Sequence, residues 1–204
     1  MNRSLFISFD GPKGTGKTTV LRAVHEALAA DQNCELFSFC EKDLDPLRAD
    51  TLALLQELAV SPSAALELLV CERLAAGRAW ITENVLADIE PTTVILIDRW
   101  YPSDAAFRRN IPFQQVLDLN LTRGVRVPDL HVGVVVPPAI SWARAAARPR
   151  GLNSVVVRSY EEHQSCSQAF EMAIDSQGWF GCHNDGPVED AVALVTEKIR
   201  QIRG

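Results

Sequence analysis

The chain has 204 residues, a formal net charge of −6 at pH 7 and 47% hydrophobic residues. This length fits one globular domain, which buries roughly 70% of the surface exposed by its unfolded form. The high apolar content and modest charge exclude an intrinsically disordered protein. The acidic balance argues against a general nucleic-acid binder, which is normally basic.

The cysteines and the N-terminal segment indicate a soluble, cytoplasmic protein. Five cysteines, an odd number, are spread along the chain without a CxxC pair, a pattern typical of reduced thiols. The apolar stretch before Asp10 is too short for a signal peptide. No segment reaches the roughly 20 apolar residues of a membrane span. We therefore expect no membrane and no nucleic-acid partner.

Apolar runs alternate with helical periodicities along the chain. Strands are predicted at 5–9, 35–39, 93–97 and 130–136, with a short one around 180–182. Helices are predicted at 17–30, 46–59, 62–87, 155–174 and 188–202. The run TVILI (93–97) is β-branched and apolar throughout, as in a strand covered on both faces. The alternation predicts an α/β fold, and the lack of repeats and linkers predicts a single domain over residues 1–204.

Residues 11–18, GPKGTGKT, match the phosphate-binding motif GxxxxGK[ST] completely. They follow the first predicted strand and open the first predicted helix, which is the context that the motif requires. Glycines let backbone N–H groups turn inward around a phosphate, and the helix N-terminus adds partial positive charge. The motif predicts a P-loop NTPase fold, with three α/β/α layers and about five mostly parallel strands. It also predicts ATP binding by Gly11, Pro12, Lys13, Gly14, Thr15, Gly16, Lys17, Thr18 and Thr19.

A carboxylate follows the third predicted strand. Asp98 comes directly after TVILI, where P-loop enzymes hold a magnesium ion or its water. We predict Asp98 and the Thr18 hydroxyl as Mg²⁺ ligands. The alternative for Asp98 is a cap on the following turn.

Positive charge is concentrated between residues 99 and 158. This segment holds nine arginines, three aspartates and no lysine, a net charge of +6 that leaves −12 for the rest of the chain. Arginine suits phosphate oxygens, and phosphoryl transfer requires neutralised charge. Arg144, Arg148 and Arg150 are predicted to form a mobile lid around 144–158. For any single arginine the alternative is a solvated basic face.

Several segments in this order resemble the thymidylate kinase family of nucleoside monophosphate kinases. They are FDGPKGTGKTT (9–19), LLVCER (68–73), DRWYPSDAAF (98–107), VPDL (127–130) and VPPAISWAR (136–144). They resemble the family's opening loop, its LLFxAxR stretch, its DR(Y/F)xxSxxAY segment and its PDL…VPPxxAxxR segment. The resemblance implies transfer of the ATP γ-phosphate to dTMP, with Mg²⁺, by a homodimer.

The resemblance also implies roles for individual residues. The catalytic set is Lys17, Asp98, Arg99, Arg148 and Arg150, with Arg144 at the ATP. The acceptor set is Asp10, Leu69, Arg73, Arg99, Phe107 and Arg108. Asp10 stands where the family often has Glu, and it either orients an arginine or the water of the metal, or forms the turn before Gly11.

The acceptor side departs from the family pattern. Lys13 stands where an acidic residue contacts the sugar, Leu69 where an aromatic ring stacks on thymine, and Arg108 where a glutamine is usual. Phe107 replaces a tyrosine. These changes lead us to expect a more anionic or differently shaped acceptor. One alternative is a kinase of the same fold that acts on another nucleotide or a small metabolite. Another is an ATP-binding regulatory protein without transferase activity.

Overall fold

A five-stranded parallel sheet lies at the centre of the computed structural model, which describes residues 3–30, 35–148, 157 and 159–203. Its strands are β1 (Leu5–Asp10), β2 (Glu35–Cys40), β3 (Thr93–Asp98), β4 (Leu130–Val135) and β5 (Phe180–His183). Their spatial order is β2-β3-β1-β4-β5, and every neighbouring pair is parallel. Each predicted strand is confirmed to within one residue at either end.

Helices connect the strands in the described part of the chain. They are α1 (Lys17–Ala29), α2 (Glu41–Leu44), α3 (Arg48–Val60), α4 (Ala64–Ile81), α5 (Tyr101–Phe107), α6 (Phe113–Thr122), α7 (Pro138–Ala146), α8 (Tyr160–Gln177) and α9 (Val188–Arg203). A π-helical turn, Thr82–Leu86, continues α4. Helices α2, α5, α6 and α7 lie outside the helical ranges predicted from the sequence. Helix α8 begins at Tyr160 because Ser159 caps it, its hydroxyl accepting from the N–H of Glu162.

The core has a layer on each face of the sheet. Leu5, Ile7 and Phe9 of β1 pack in one buried cluster with residues of α1 and α9. Phe6 points the other way and meets Trp100 edge to face, with ring centroids 5.5 Å apart, in a cluster that includes residues of α4 and α6. Because both faces are covered, β1, β3 and β4 are mainly apolar and are buried along most of their length. The predicted three-layer α/β/α fold is confirmed.

The strand order determines where a ligand can bind. Strand β1 lies between β3 and β4, so the chain turns to opposite sides of the sheet at its carboxyl end. Open α/β sheets bind ligands at such a point. The motif at 11–18, the P-loop, and Asp98 both lie there. Separately, no helix in the described residues has the length and apolar character needed to cross a membrane.

Candidate active site

A cavity of about 550 Å³ opens at the carboxyl ends of β1 and β3. It is lined by many of the predicted site residues: Lys13, Gly14, Gly16, Lys17, Thr18, Thr19, Asp98, Arg99, Phe107, Arg108 and Arg148. Gly11, Pro12 and Thr15 belong to the same loop but are buried beneath the wall of the cavity. The fold thus brings the P-loop, the end of β3 and the C-terminal end of α5 to one site.

The P-loop has backbone conformations that require glycine. Gly11, Gly14 and Gly16 have φ values of 141°, 87° and 91°, which L side chains rarely adopt. A β-carbon on Gly14 would also collide with the carbonyl oxygen of Ser141 in α7, and one on Gly11 with that of Val134. The glycines therefore serve two purposes. They allow the curvature of the loop, and they allow it to pack closely against α7 and the end of β4.

Lys17 is held inside the loop. Its side-chain ammonium donates a 2.7 Å hydrogen bond to the carbonyl oxygen of Pro12, and the residue is only 5% exposed. Burial, and next the nearby Arg99 guanidinium, lower the pKa of Lys17 well below its usual range. An anionic phosphate in the loop would oppose both effects, so the ammonium is placed to pair with one.

Thr18 and Asp98 join the loop helix to the end of β3. The Thr18 hydroxyl donates a 2.5 Å hydrogen bond to Oδ2 of Asp98. A hydroxyl and a carboxylate are the oxygen ligands with which P-loop enzymes hold Mg²⁺. The donor set at this point therefore fits the ion. The Asp98 side chain thus reaches from the end of β3 to the first residues of α1.

Asp10 positions the segment after β3. One of its carboxylate oxygens, Oδ1, accepts hydrogen bonds from the N–H groups of Trp100 (2.9 Å) and Ser103 (3.1 Å) and from the Ser103 hydroxyl (2.6 Å). Asp10 is 1% exposed and lies outside the cavity lining. Its place is thus behind the site, at the start of α5, and direct substrate contact is not what the structure supports.

Arg99 leaves β3 in an unusual conformation. Its φ of 76° makes it the positive-φ non-glycine residue of the described chain, and its N–H donates to the carbonyl of Phe9 at 3.0 Å. The guanidinium lies 5.5 Å from the centroid of the Phe107 ring. Such strain is found where surrounding contacts impose a functional orientation. In this chain, the hydrogen bonds that Asp10 accepts from the N–H groups of Trp100 and Ser103 fix the backbone that follows Arg99.

Leu69 and Arg73 are the α4 residues predicted for the acceptor pocket. Both lie outside the cavity lining; the Leu69 side chain is 46% exposed at the surface. Leu74 and Arg78, five residues further along α4, line the cavity instead. Positions five residues apart on an α-helix point in directions that differ by about 140°. The side chains of Leu74 and Arg78 therefore lie on a different side of α4 from those of Leu69 and Arg73. The spacing of four residues between the aliphatic chain and the arginine is the same in the two pairs.

Arg78 and Arg108 belong to a buried ion-pair network. Arg108 is bound to Asp104 Oδ1 by its Nε (2.9 Å) and also by Nη2. Arg78 binds Asp104 Oδ2 through Nη1 at 3.2 Å and Glu41 Oε1 through Nε at 2.8 Å. The side chains of Arg78, Asp104 and Arg108 are 2–4% exposed. Asn120 completes the network, accepting from Arg78.

The charges of this network cancel. Burial alone would raise the pKa of Asp104, but Arg108 and Arg78 outweigh it and hold the pKa below the usual range. For Glu41 the balance is the reverse, since burial raises its pKa against the attraction of Arg78. Two guanidiniums thus face two carboxyl groups. Asp104 therefore neutralises Arg108, so this arginine adds no net positive charge toward the more anionic acceptor that the sequence led us to expect.

The lid arginines occupy different places. Arg144 donates to the carbonyl of Asn184 at 2.9 Å, and the Asn184 amide donates to the Thr15 carbonyl at 2.8 Å. Arg144 is therefore linked to the P-loop through Asn184, and it lies outside the cavity lining. Arg148 is exposed and lines the cavity. Arg150, with most of the predicted lid, lies outside the described residues.

Comparison with known proteins agrees with this geometry. The family model for thymidylate kinase matches residues 9–195. The chain belongs to the thymidylate kinase family. A thymidylate kinase of Bacillus velezensis is 28% identical over 217 residues, covering 98% of each chain. One of Staphylococcus haemolyticus is 27% identical with 84% of each chain covered, and one of Leuconostoc mesenteroides is 26% identical with 83% of this chain and 82% of its own covered. Membership of the thymidylate kinase family confirms the predicted class, an ATP-dependent nucleoside monophosphate kinase.

Several residues that line the cavity are not among the sequence predictions, and they include Leu74, Arg78, Asp104 and Glu41. The repeated spacing of a leucine and an arginine along α4 was the signal available for the first two. For Asp104 the signal was its position four residues before Arg108, one helical turn away. Glu41 is joined to Arg78 across 37 residues of chain, and no local pattern marks it.

Proposed function

We propose that this chain transfers the γ-phosphate of ATP to a nucleoside monophosphate, with dTMP as the acceptor. The observation that carries the proposal is the convergence of Lys17, Thr18, Asp98 and Arg99 on one cavity beside the P-loop. The acceptor follows from the thymidylate kinases to which the chain is similar. The cavity is large enough for a nucleotide, since small-molecule sites span about 300–1,000 Å³.

The donor half of the site would act through charge and position. The N–H groups of the P-loop and the Lys17 ammonium hold the ATP phosphates, whose negative charge opposes the lowering of the Lys17 pKa. Thr18 and Asp98 would hold Mg²⁺, which when bound neutralises charge on the phosphates. No covalent intermediate with the protein is needed.

The acceptor half would be organised by cations from three elements. Lys13 of the P-loop, Arg99 after β3 and Arg148 after α7 face the same cavity. Burial, and then the nearby Arg148 and Arg99, lower the pKa of Lys13. They are placed to hold the acceptor phosphate in line with the γ-phosphate. Arg148, and Arg150 beyond the described residues, would close over the transferring group and exclude water.

The test is a steady-state assay of ADP release with ATP, Mg²⁺ and a panel of nucleoside monophosphates. Lys17→Ala should lower kcat at least about 100-fold while thermal unfolding stays close to wild type. Lys198→Ala changes a lysine of α9 that lies outside the cavity lining, so it is the matched control and should leave kcat unchanged. Unchanged turnover in Lys17→Ala would falsify the site. Turnover of another nucleotide with none of dTMP would overturn the acceptor and leave the kinase class standing.

We also propose a cytoplasmic homodimer. Helices α3 and α4 expose large apolar side chains: Leu52, Val60, Leu69 and Trp80 are 41–87% exposed. A second copy of the chain would cover them. Cys40, Cys71, Cys166 and Cys182 are free thiols, in keeping with a reducing compartment. Light scattering of the purified protein tests the dimer, and Leu69→Glu should shift it toward monomer.

A further inference from the structure

We infer that His163 is a positioning residue for the ATP site, because it holds α7 against the P-loop through Ser141. His163 belongs to α8 and lies outside the cavity lining, so it acts on ATP only through other groups. The inference rests on the proposed function, since it requires ATP in the P-loop. It does not depend on the identity of the acceptor.

Helix α7 lies directly against the P-loop. The carbonyl oxygen of Ser141 comes so close to Gly14 that a β-carbon on this glycine would lie 2.0 Å from it. Backbone atoms of both segments make this contact, so a small displacement of α7 reaches the loop directly. Arg144, one turn further along α7, donates to the Asn184 carbonyl at 2.9 Å, and the Asn184 amide donates to the Thr15 carbonyl at 2.8 Å. The position of α7 therefore affects the loop at two points.

His163 ties α7 to α8. Its Nε2 lies 2.7 Å from the Ser141 hydroxyl oxygen, and both residues are buried, with 2% and 0% of their surface exposed. The hydroxyl donates to the Pro138 carbonyl at 3.0 Å, so its oxygen accepts the hydrogen that Nε2 carries. The Trp142 ring packs beside the imidazole, with centroids 5.4 Å apart. Ser141 thus contacts the P-loop through its carbonyl and α8 through its hydroxyl, and a satisfied buried pair of this kind fixes one arrangement of two helices.

The charge of His163 is linked to the P-loop as well. Burial, and then the ammonium groups of Lys13 and Lys17, lower the pKa of His163. The Pro138 carbonyl acts in the opposite direction and favours the protonated ring. Phosphates bound in the loop would pair with the two ammonium groups and weaken their effect, so the pKa of His163 should rise when ATP binds. The added proton goes to Nδ1, which leaves the bond to Ser141 in place.

The first test measures the Kd of a non-hydrolysable ATP analogue with Mg²⁺ by calorimetric titration. His163→Leu removes the donor and Ser141→Ala removes its partner, so each should raise Kd about tenfold. The double variant should bind as weakly as the weaker single variant, because both changes break the same bond. His163→Gln keeps an N–H donor for the Ser141 hydroxyl, and its Kd should stay within about twofold of wild type.

Phe170→Leu is the matched control for a general loosening of α8. Phe170 is buried in a cluster whose members all lie outside α7, so its Kd should also stay within about twofold of wild type. Thermal unfolding checks that each variant is folded, and Ser141→Ala keeps the test valid where His163→Leu does not fold. An unchanged Kd in Ser141→Ala, a tenfold rise in Phe170→Leu, or losses that multiply in the double variant would overturn the inference.

Proton uptake is a readout that a merely structural role would not move. Titrations at about pH 6, just below the ordinary histidine pKa of about 6.5, are run in two buffers of different ionisation enthalpy to count the protons taken up on binding. Lys17 and the ATP analogue titrate alike in wild type and His163→Gln, so the difference between the two proteins reports His163. Wild type should take up more protons. Equal uptake would overturn the inference, because the ring would then not respond to the loop.

Binding and phosphoryl transfer are measured separately, so the inference and the proposed function can fail separately. The expected pattern of Kd values without any phosphoryl transfer supports the inference and overturns the kinase activity. Phosphoryl transfer with equal Kd values in all variants supports the kinase activity and overturns the inference. Absence of ATP binding overturns both.

Discussion

The Thr18 hydroxyl donates a 2.5 Å hydrogen bond to Oδ2 of Asp98, although 80 residues separate the two in the chain. The contact closes the gap between the P-loop helix α1 and the end of β3. It also brings together the two oxygen ligands proposed for Mg²⁺. Any change at either residue should therefore alter the response of the enzyme to the metal before it alters the fold.

Asp98→Asn should weaken the response to Mg²⁺. The amide keeps an oxygen for Thr18 but loses the negative charge that attracts the ion, so the Mg²⁺ concentration for half-maximal rate should rise about 10- to 100-fold. Titration of the rate with Mg²⁺ at saturating ATP measures it. Asp118→Asn, an exposed aspartate of α6, is the control. An identical Mg²⁺ curve for Asp98→Asn would remove Asp98 from the metal site.

Gly14→Ala should damage the loop more than its φ value alone explains. A positive φ costs an alanine about 1–2 kcal/mol, and at Gly14 the new methyl group also meets the Ser141 carbonyl. Gly178→Ala is the matched control, because Gly178 has a φ of 64° and nothing within 4 Å of its β-carbon position. Urea unfolding should show a larger loss for Gly14→Ala, together with weaker ATP binding. If the free energy of unfolding fell equally in the two variants, the contact with the Ser141 carbonyl would not contribute to the destabilisation.

The sequence was sufficient to predict the strands of the sheet and the position of the P-loop at the end of β1. Parallel strands buried on both faces are continuous apolar runs, and the P-loop motif carries its own strand and helix context. Helix α5 was not foreseen, because it has only seven residues and is anchored by Asp10 from 93 residues away. Such a helix forms through tertiary contacts rather than local propensity.

Helix α4 illustrates a different limit. Its Leu/Ala-rich sequence is apolar around much of its circumference, so periodicity does not decide which leucine and arginine face the cavity. Sequence reasoning chose Leu69 and Arg73, and the cavity has Leu74 and Arg78. The net charge of residues 99–158 also gives no sign that Arg108 pairs with Asp104, because a net charge does not show which side chains are in contact.

Glu67→Gln should loosen the turn that follows Arg108. The Glu67 carboxylate is 4% exposed and accepts the N–H groups of Arg109 (3.0 Å) and Asn110 (2.7 Å), one on each oxygen. An amide nitrogen in place of one oxygen leaves a buried N–H unpaired, at a cost of about 1–3 kcal/mol. We expect a lower midpoint of unfolding and a higher KM for the acceptor, with the KM for ATP unchanged. Equal changes in both KM values would indicate a general loss of structure.

Lys13→Glu should weaken acceptor binding. Burial, and then the nearby Arg148 and Arg99, lower the pKa of Lys13, so the three cations share one region of the cavity. A carboxylate there would pair with the two guanidiniums and repel an incoming phosphate. The KM for the acceptor should rise at least about tenfold. Lys13→Met, which removes charge without reversing it, should have a smaller effect, and the reverse order would count against a phosphate at this position.

The stability of the fold should fall as the pH is lowered through the range of His131. This ring lies between the Ser8 hydroxyl (3.0 Å from Nδ1) and the Tyr101 hydroxyl (3.3 Å from Nε2), and burial lowers the pKa of His131 to about 4. In the unfolded chain the pKa of His131 is near 6.5. Between about pH 6.5 and pH 4, the unfolded chain therefore binds a proton at His131 that the folded chain does not bind. Stability is therefore complete above about pH 6.5 and is lost progressively toward pH 4, by about 2 kcal/mol at pH 5.

His131→Gln isolates this contribution, because glutamine can hydrogen-bond both hydroxyls and does not titrate. Urea unfolding at pH 7.5 and pH 5 should show a smaller loss for the variant than for wild type. The pKa of His163 is lowered as well, by burial first and then by Lys13 and Lys17, so it destabilises both proteins alike and cancels in the comparison. If the free energy of unfolding fell equally in the two proteins, His131 would be protonated in the folded chain as readily as in the unfolded chain. Burial between Ser8 and Tyr101 would then not lower its pKa.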